Sequence, residues 1–263
     1  MADKAQWHQE TTNVDGAELT VIKGGSGRPL LVLHEEMGHP GWLKWHAELA
    51  ADHSLIIPLH PGFGVTPRCE WIWNIRDLAG FYSRFVRSQK LAPLDVIGFS
   101  LGGWVAAEMA ANNQDQFKHM VLVGAAGVRP TEGEIMDVFQ LMAPAELAAT
   151  VLDPEHTPEF DQLYGGIGPA QFELWEDARA ETARLAWVPY MHNPSLPHLL
   201  RVIDSLPTLL IWGREDSVIP LSAGEGYKKA IARSRLVALD KCGHRPEIEQ
   251  HAAFMREVKG FLS

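Results

Sequence analysis

Cysteine is nearly missing from this 263-residue chain, which has only Cys69 and Cys242. One pair cannot build a disulfide framework, and the two lack the clustered spacing of a zinc site. A reducing compartment fits. Missing too is any stretch near the ~18 apolar residues that a membrane span needs, and Met1 to Glu10 has no apolar core of a secretion signal. A cytoplasmic location and no membrane partner are the expectations. Positive charge is also short, with 23 Lys and Arg against 33 Asp and Glu and a formal charge of −10. That disfavours nucleic-acid phosphates and anionic lipid heads as partners and leaves small molecules. There is no internal repeat and no low-complexity tract. The hydrophobic fraction of 46% and charged fraction of 21% exclude a disordered or collagen-like chain. The length suits one large domain with an insertion.

What is present is a regular rhythm. Short runs rich in Val, Ile and Leu lie at Leu19 to Ile22, Leu30 to His34, Leu55 to His60, Leu94 to Phe99, Met120 to Gly124, Thr208 to Trp212 and Arg235 to Leu239. Helical spacing fills Trp42 to Ala50, Ile75 to Ser88, Leu101 to Asn112, Leu221 to Ala232 and Ala252 to Leu262. Near-continuous apolar strands alternating with helices predict an α/β fold with a mainly parallel sheet and helices on both faces. Gly24, Gly25 and Gly27 are expected to turn an opening antiparallel hairpin.

The alternation stops between Thr131 and Leu206, where seven prolines from Pro144 to Pro197 break up helical pieces. Loops that long are seldom structureless in a compact domain. The prediction is therefore a core of residues 1–130 and 207–263, with residues 131–206 inserted as a helical lid. Phe139, Met142, Trp175 and Trp187 are its candidate substrate-binding side chains, although apolar residues at helical spacing more often serve as packing.

The chemistry concentrates at Gly98-Phe99-Ser100-Leu101-Gly102, a Gly-x-Ser-x-Gly turn between strand and helix. A serine there is strained and stands clear at the carboxyl edge of the sheet, where open α/β sheets bind ligands. A hydroxyl is a poor nucleophile at neutral pH, so Ser100 needs a base and the base needs an orienting acid. Asp216 follows the strand ending at Trp212, with Glu215 as its rival, and His244 follows the last strand.

In that strand-turn-helix serine and that chain order the sequence resembles the α/β-hydrolase fold enzymes, over nearly all of the chain outside the lid. The resemblance implies Ser100 as nucleophile, His244 as general base and then acid, and Asp216 as the group fixing the imidazole tautomer. It implies an oxyanion hole from the N–H groups of Leu101 and Glu36, and no cofactor or metal. One departure stands out. Where the family commonly has His-Gly before the donor residue, this chain has His34-Glu35-Glu36. A carboxylate about 5 Å from an oxyanion at an effective dielectric near 20 opposes it by roughly 3 kcal/mol. The Glu36 side chain is therefore expected to point away, the alternatives being neutralisation by Arg245 or a cationic substrate. His34 and His39 are five apart, not at a zincin's helical spacing. His60 and Arg245 are departures without an interpretation from sequence.

A serine at the elbow implies acyl transfer to water. The leading expectation is hydrolysis of carboxylic esters of small apolar or aromatic substrates. The alternatives are cleavage of a carbon–carbon bond in aromatic ring-fission products and a non-catalytic ligand-binding member of the fold. A homodimer is compatible with the sequence.

Overall fold

An Asp-Gly pair opens the sheet. In the computed structural model, which describes residues 7–137, 139–140, 143–164 and 168–263, β1 (Trp7–Val14) and β2 (Ala17–Gly24) run antiparallel with Val14 opposite Ala17. Asp15 and Gly16 form the two-residue loop, both at positive φ (49° and 92°), as a tight hairpin requires. The hairpin is thus antiparallel as expected, but Gly24, Gly25 and Gly27 do not turn it. They lead from β2 into β3 (Arg28–Leu33), and β4 (His53–Pro58) lies between those two strands. A Cβ on Gly25 would strike the carbonyls of Ala50 and His53, so these glycines serve close approach.

The remaining strands are β5 (Leu94–Phe99), β6 (Phe117–Val123), β7 (Thr208–Gly213) and β8 (Ser234–Leu239). The sheet order is β1-β2-β4-β3-β5-β6-β7-β8. Its antiparallel pairs involve β1 and β2, and every pairing from β4 to β8 is parallel. Alternate residues of the central strands face opposite layers, so both faces must be covered. Leu31, Leu33, Val96 and Leu122 join one core with α2 (Ile75–Ser88), α3 (Leu101–Asn112) and α8 (Leu221–Ala230). Leu30, Val32, Ile97 and Val121 join the other with α1 (Lys44–Leu49) and α10 (His251–Leu262).

The local code is clear in α2. Asn74 caps it by accepting the Asp77 N–H at 3.0 Å. Ile75, Leu78, Phe81, Tyr82, Phe85 and Val86 recur every three or four residues and are all buried. Truncating Phe85 to Ala would cost about 3–5 kcal/mol.

Between β6 and β7 the described residues form α4 (Ala143–Ala149), α5 (Phe160–Tyr164), α6 (Pro169–Ala186) and α7 (Leu196–Leu199), with no named strand among them. Pro169 starts α6, where its missing N–H costs nothing. The short α9 (Pro246–Glu249) follows the last strand. Among the described residues no helix is long and apolar enough to cross a membrane.

Candidate active site

Ser100 stands between β5 and α3 with φ 45° and ψ −111°, a conformation that costs a non-glycine residue about 1–3 kcal/mol. Two glycines make it possible. A Cβ on Gly98 would collide with the carbonyl of Gly102, and one on Gly102 with the carbonyls of Leu33 and His34. The backbone then holds the turn. The Ser100 N–H donates to the Val123 carbonyl at 2.9 Å, and the Ser100 carbonyl accepts from Ala126 at 3.1 Å and Trp104 at 3.2 Å. The hydroxyl itself is buried, and Oγ has no hydrogen-bond partner among the described residues.

Asp216 and His244 come together from the loops after β7 and β8. The imidazole Nδ1–H donates to Asp216 Oδ2 at 2.8 Å, while Asp216 Oδ1 accepts the N–H groups of Val218 and Ile219, both at 2.9 Å. Nδ1 therefore carries a proton and Nε2 is left for other work. Glu215 instead accepts the Cys242 N–H at 3.0 Å, so it is Asp216 that bonds the imidazole. The His244 N–H is tied to the Thr150 carbonyl at 2.8 Å. Burial disfavours the charged imidazole, but the charge and hydrogen bond of Asp216, with Glu36 and Glu35, prevail and push its pKa up to about 9. The Cys242 thiol is pushed upward by burial, which leaves it an inert packing group.

The loop after β3 comes beside this pair. Glu35 to Gly38 is a tight turn, closed by the Gly38 N–H on the Glu35 carbonyl at 3.2 Å, a bond that does not use the N–H of Glu36. Leu101 opens α3, whose first-turn N–H groups have no acceptor within the helix. Glu36 is buried, and its Oε2 has no hydrogen-bond partner among the described residues. Arg245 does not pair with it. The guanidinium takes Glu35 at 2.7 Å, Glu247 at 2.5 Å and the Tyr164 hydroxyl. One buried cation thereby joins the loop after β3, the loop after β8 and α5.

His60 also acquires a role. Its backbone N–H donates to His34 Nε2 at 2.9 Å, its own Nε2–H donates to the His34 carbonyl at 3.0 Å, and the Tyr82 hydroxyl donates to its Nδ1 at 2.5 Å. His34 Nδ1–H donates to the Glu35 carbonyl at 2.8 Å. Burial dominates and holds His34 down to about 4 and His60 well below its ordinary value, so both rings are neutral braces of the loop. Among the described residues no three His, Cys, Asp or Glu side chains gather as a metal site would need.

The four aromatic and methionine candidates separate. Trp175 on α6 clusters with Met37, Leu147 and Tyr164, next to the turn that holds Glu36. Trp187 is half exposed and stands edge-on to Phe139 at 5.1 Å and Tyr190 at 5.8 Å, a cluster of its own. Met142 lies outside the described residues. Arg245 and His60 were visible in the sequence as departures. Glu247 and Tyr164 carry no local signal.

With sheet, elbow and Asp–His pair in place, the sequence profile of the alpha/beta hydrolase family matches residues 30–257. The chain belongs to that family, and it is a hydrolase. It is 27% identical to the 2-hydroxy-6-oxo-2,4-heptadienoate hydrolase of Pseudomonas putida, over 94% of each chain. It is 29% identical to the 2-hydroxymuconate semialdehyde hydrolase of a Pseudomonas species, over 94% of this chain and 91% of that one. It is 27% identical to the pimeloyl-[acyl-carrier protein] methyl ester esterase of Neisseria meningitidis, over 67% of this chain and 72% of that one.

Proposed function

We propose that this hydrolase is a serine esterase that cleaves carboxylic esters of small apolar or aromatic substrates through an acyl-enzyme. The observation that carries this is the strained Ser100 elbow, its hydroxyl without a partner, at the same sheet edge as an imidazole whose Nδ1 is already committed to Asp216. In the proposed sequence Ser100 Oγ attacks the carbonyl carbon and His244 Nε2 takes its proton. The Leu101 and Glu36 N–H groups hold the tetrahedral oxyanion. Protonated His244 then gives the proton to the departing alcohol. Water, deprotonated by the same imidazole, cleaves the acyl-enzyme and restores the serine. Asp216 orients the ring and offsets its charge. Residues 131–206 act as a lid over the cleft, with Trp175 contributing to the apolar wall.

Cleavage of a carbon–carbon bond beside a ketone is the second reading, favoured by the names of the two Pseudomonas relatives. Against it stands the buried carboxylate of Glu36, which would repel a substrate that is itself a dienoate anion. The test compares wild type with Ser100→Ala on a panel of nitrophenyl esters and one ring-fission dienol, after fluorophosphonate labelling. The expected outcome is stoichiometric labelling of Ser100, ester turnover that falls at least 10³-fold in the variant, and no turnover of the dienol. Turnover of the dienol without ester hydrolysis would reverse the order. Absence of labelling and of turnover would leave a binding protein.

A further inference from the structure

One charge near Ser100 takes no part in the acyl transfer just described. Glu36 is 2% exposed, and its Oε2 lacks a hydrogen-bond partner among the described residues. Its neighbour Glu35 is matched by Arg245, whose other partners are Glu247 and Tyr164. Two adjacent carboxylates are thus buried, and Arg245 answers the first of them.

The backbone confines where the second can be. The turn from Glu35 to Gly38 is closed by its own hydrogen bond, and the Glu36 carbonyl accepts the Thr182 hydroxyl of α6 at 3.0 Å. Just before it, the carbonyls of Leu33 and His34 lie against Gly102 in the first turn of α3, two residues from Ser100. Met37 and Gly38, which follow Glu36, and His34 line a cleft of about 210 Å³ together with Leu174, Trp175 and Ala178 of α6. The charge of Glu36 also acts on the His244 imidazole, more strongly than that of Glu35.

A desolvated carboxylate oxygen without a donor is costly to keep. A carboxylate about 5 Å from a developing oxyanion would also slow attack by about two powers of ten. A cation supplied by the substrate removes both penalties at once. We propose that Glu36 is a specificity-determining residue whose free carboxylate oxygen receives an ammonium group of the substrate, so that the enzyme selects esters with a cationic centre close to the scissile carbonyl. This rests on Ser100 being the nucleophile of an ester hydrolase and amends its substrate class from wholly apolar or aromatic esters to esters whose apolar or aromatic frame carries one ammonium group.

Two matched pairs test it: 3-aminopropanoyl against butanoyl esters of one phenol, and choline against 3,3-dimethylbutyl esters of one acid. Each pair differs in charge at nearly constant shape. The wild type is expected to favour the cationic member of at least one pair by ten- to a hundredfold in kcat/KM, and Glu36→Gln to bring that ratio close to one. Glu36→Asp, which keeps the charge, should retain most of the preference and replaces Glu36→Gln if that variant does not fold. Equal or inverse ratios in the wild type, or a preference that survives Glu36→Gln, would overturn the assignment while leaving the esterase intact. Loss of all ester turnover together with no fluorophosphonate label on Ser100 would remove the esterase, and this assignment with it.

Discussion

Gly124 is the surface against which the His244 imidazole rests. A Cβ at that position would lie 2.9 Å from both Cε1 and Nδ1 of the ring and 3.3 Å from Asp216 Oδ2. The residue follows β6 at φ 51°, a left-handed conformation that glycine adopts without penalty. Steric space and backbone conformation therefore demand the same residue, and the demand comes from the ring.

Gly124→Ala should displace the imidazole by a few tenths of an ångström without altering the residues that contact substrate. We expect kcat to fall by about 10²-fold with KM changed less than threefold, since small misplacements of a catalytic group cost that much. Steady-state kinetics on one nitrophenyl ester decide the point. A change confined to KM would mean that Gly124 shapes the cleft and not the ring.

Much of this arrangement is legible in the sequence because it is local. The run Leu94 to Phe99, the elbow at Ser100 and the helix from Leu101 to Asn112 are found with the predicted bounds. There apolar periodicity and glycine placement point the same way. The opening hairpin was misplaced for an equally local reason. Three glycines at 24, 25 and 27 outweighed the single Asp15-Gly16 pair, although Asp-Gly is the stronger hairpin signal. The sequence offers Arg245 as a counter-ion for Glu36, but across 210 residues it pairs with Glu35 instead, and nothing local decides between the two adjacent carboxylates. Charge pairing of that kind is set by which loops the sheet order brings to one edge. The same holds for Tyr164, whose ring also lies about 6.0 Å from the Arg245 guanidinium.

That pairing makes a stability prediction. Burial raises the Glu35 pKa to about 7, Arg245 pulling against it while Glu36 and Glu247 add to it. A carboxyl whose folded pKa exceeds its unfolded one loses stability as pH climbs from about 4.5 through 7. Arg245→Met removes the attraction and leaves buried carboxylates uncompensated. It should cost about 3–5 kcal/mol at pH 8 and distinctly less at pH 5, where the Glu35 carboxyl takes up a proton. Urea unfolding at the two pH values measures this, and an equal loss at both would refute the role given to the charge.

The attachment of α6 to the core is likewise testable. Glu181 on that helix is buried, pairs with Arg68 of the loop before α2 and with Arg184 one turn along at 2.8 Å, and presses on Gly62. Arg68 is half exposed, so its share is discounted for solvent screening. Glu181→Ala should still release the helix enough to speed proteolysis within residues 131–206 about tenfold, equivalent to roughly 1.4 kcal/mol of local opening. Cleavage mapped by mass spectrometry is the readout. Cuts elsewhere, or an unchanged rate, would deny the helix a separate opening.

Titration of His244 offers the most direct view of the pair at the centre. The imidazole must be neutral to accept the Ser100 proton, so a pKa raised to about 9 places the acid limb of kcat/KM well above that of an ordinary histidine. Asp216→Asn removes the charge chiefly responsible for the rise. The limb should then move to lower pH while kcat drops on the order of 10⁴-fold, because the amide no longer enforces the Nδ1–H tautomer. Stability moves in the corresponding sense. A histidine with a raised folded pKa contributes fully below its unfolded pKa of about 6.5, and the contribution disappears as pH rises through about 9. Wild type should therefore lose stability across that window, and Asp216→Asn should lose much less. A pH–rate limb at the ordinary histidine value in the wild type would show that burial, and not Asp216, governs the ring.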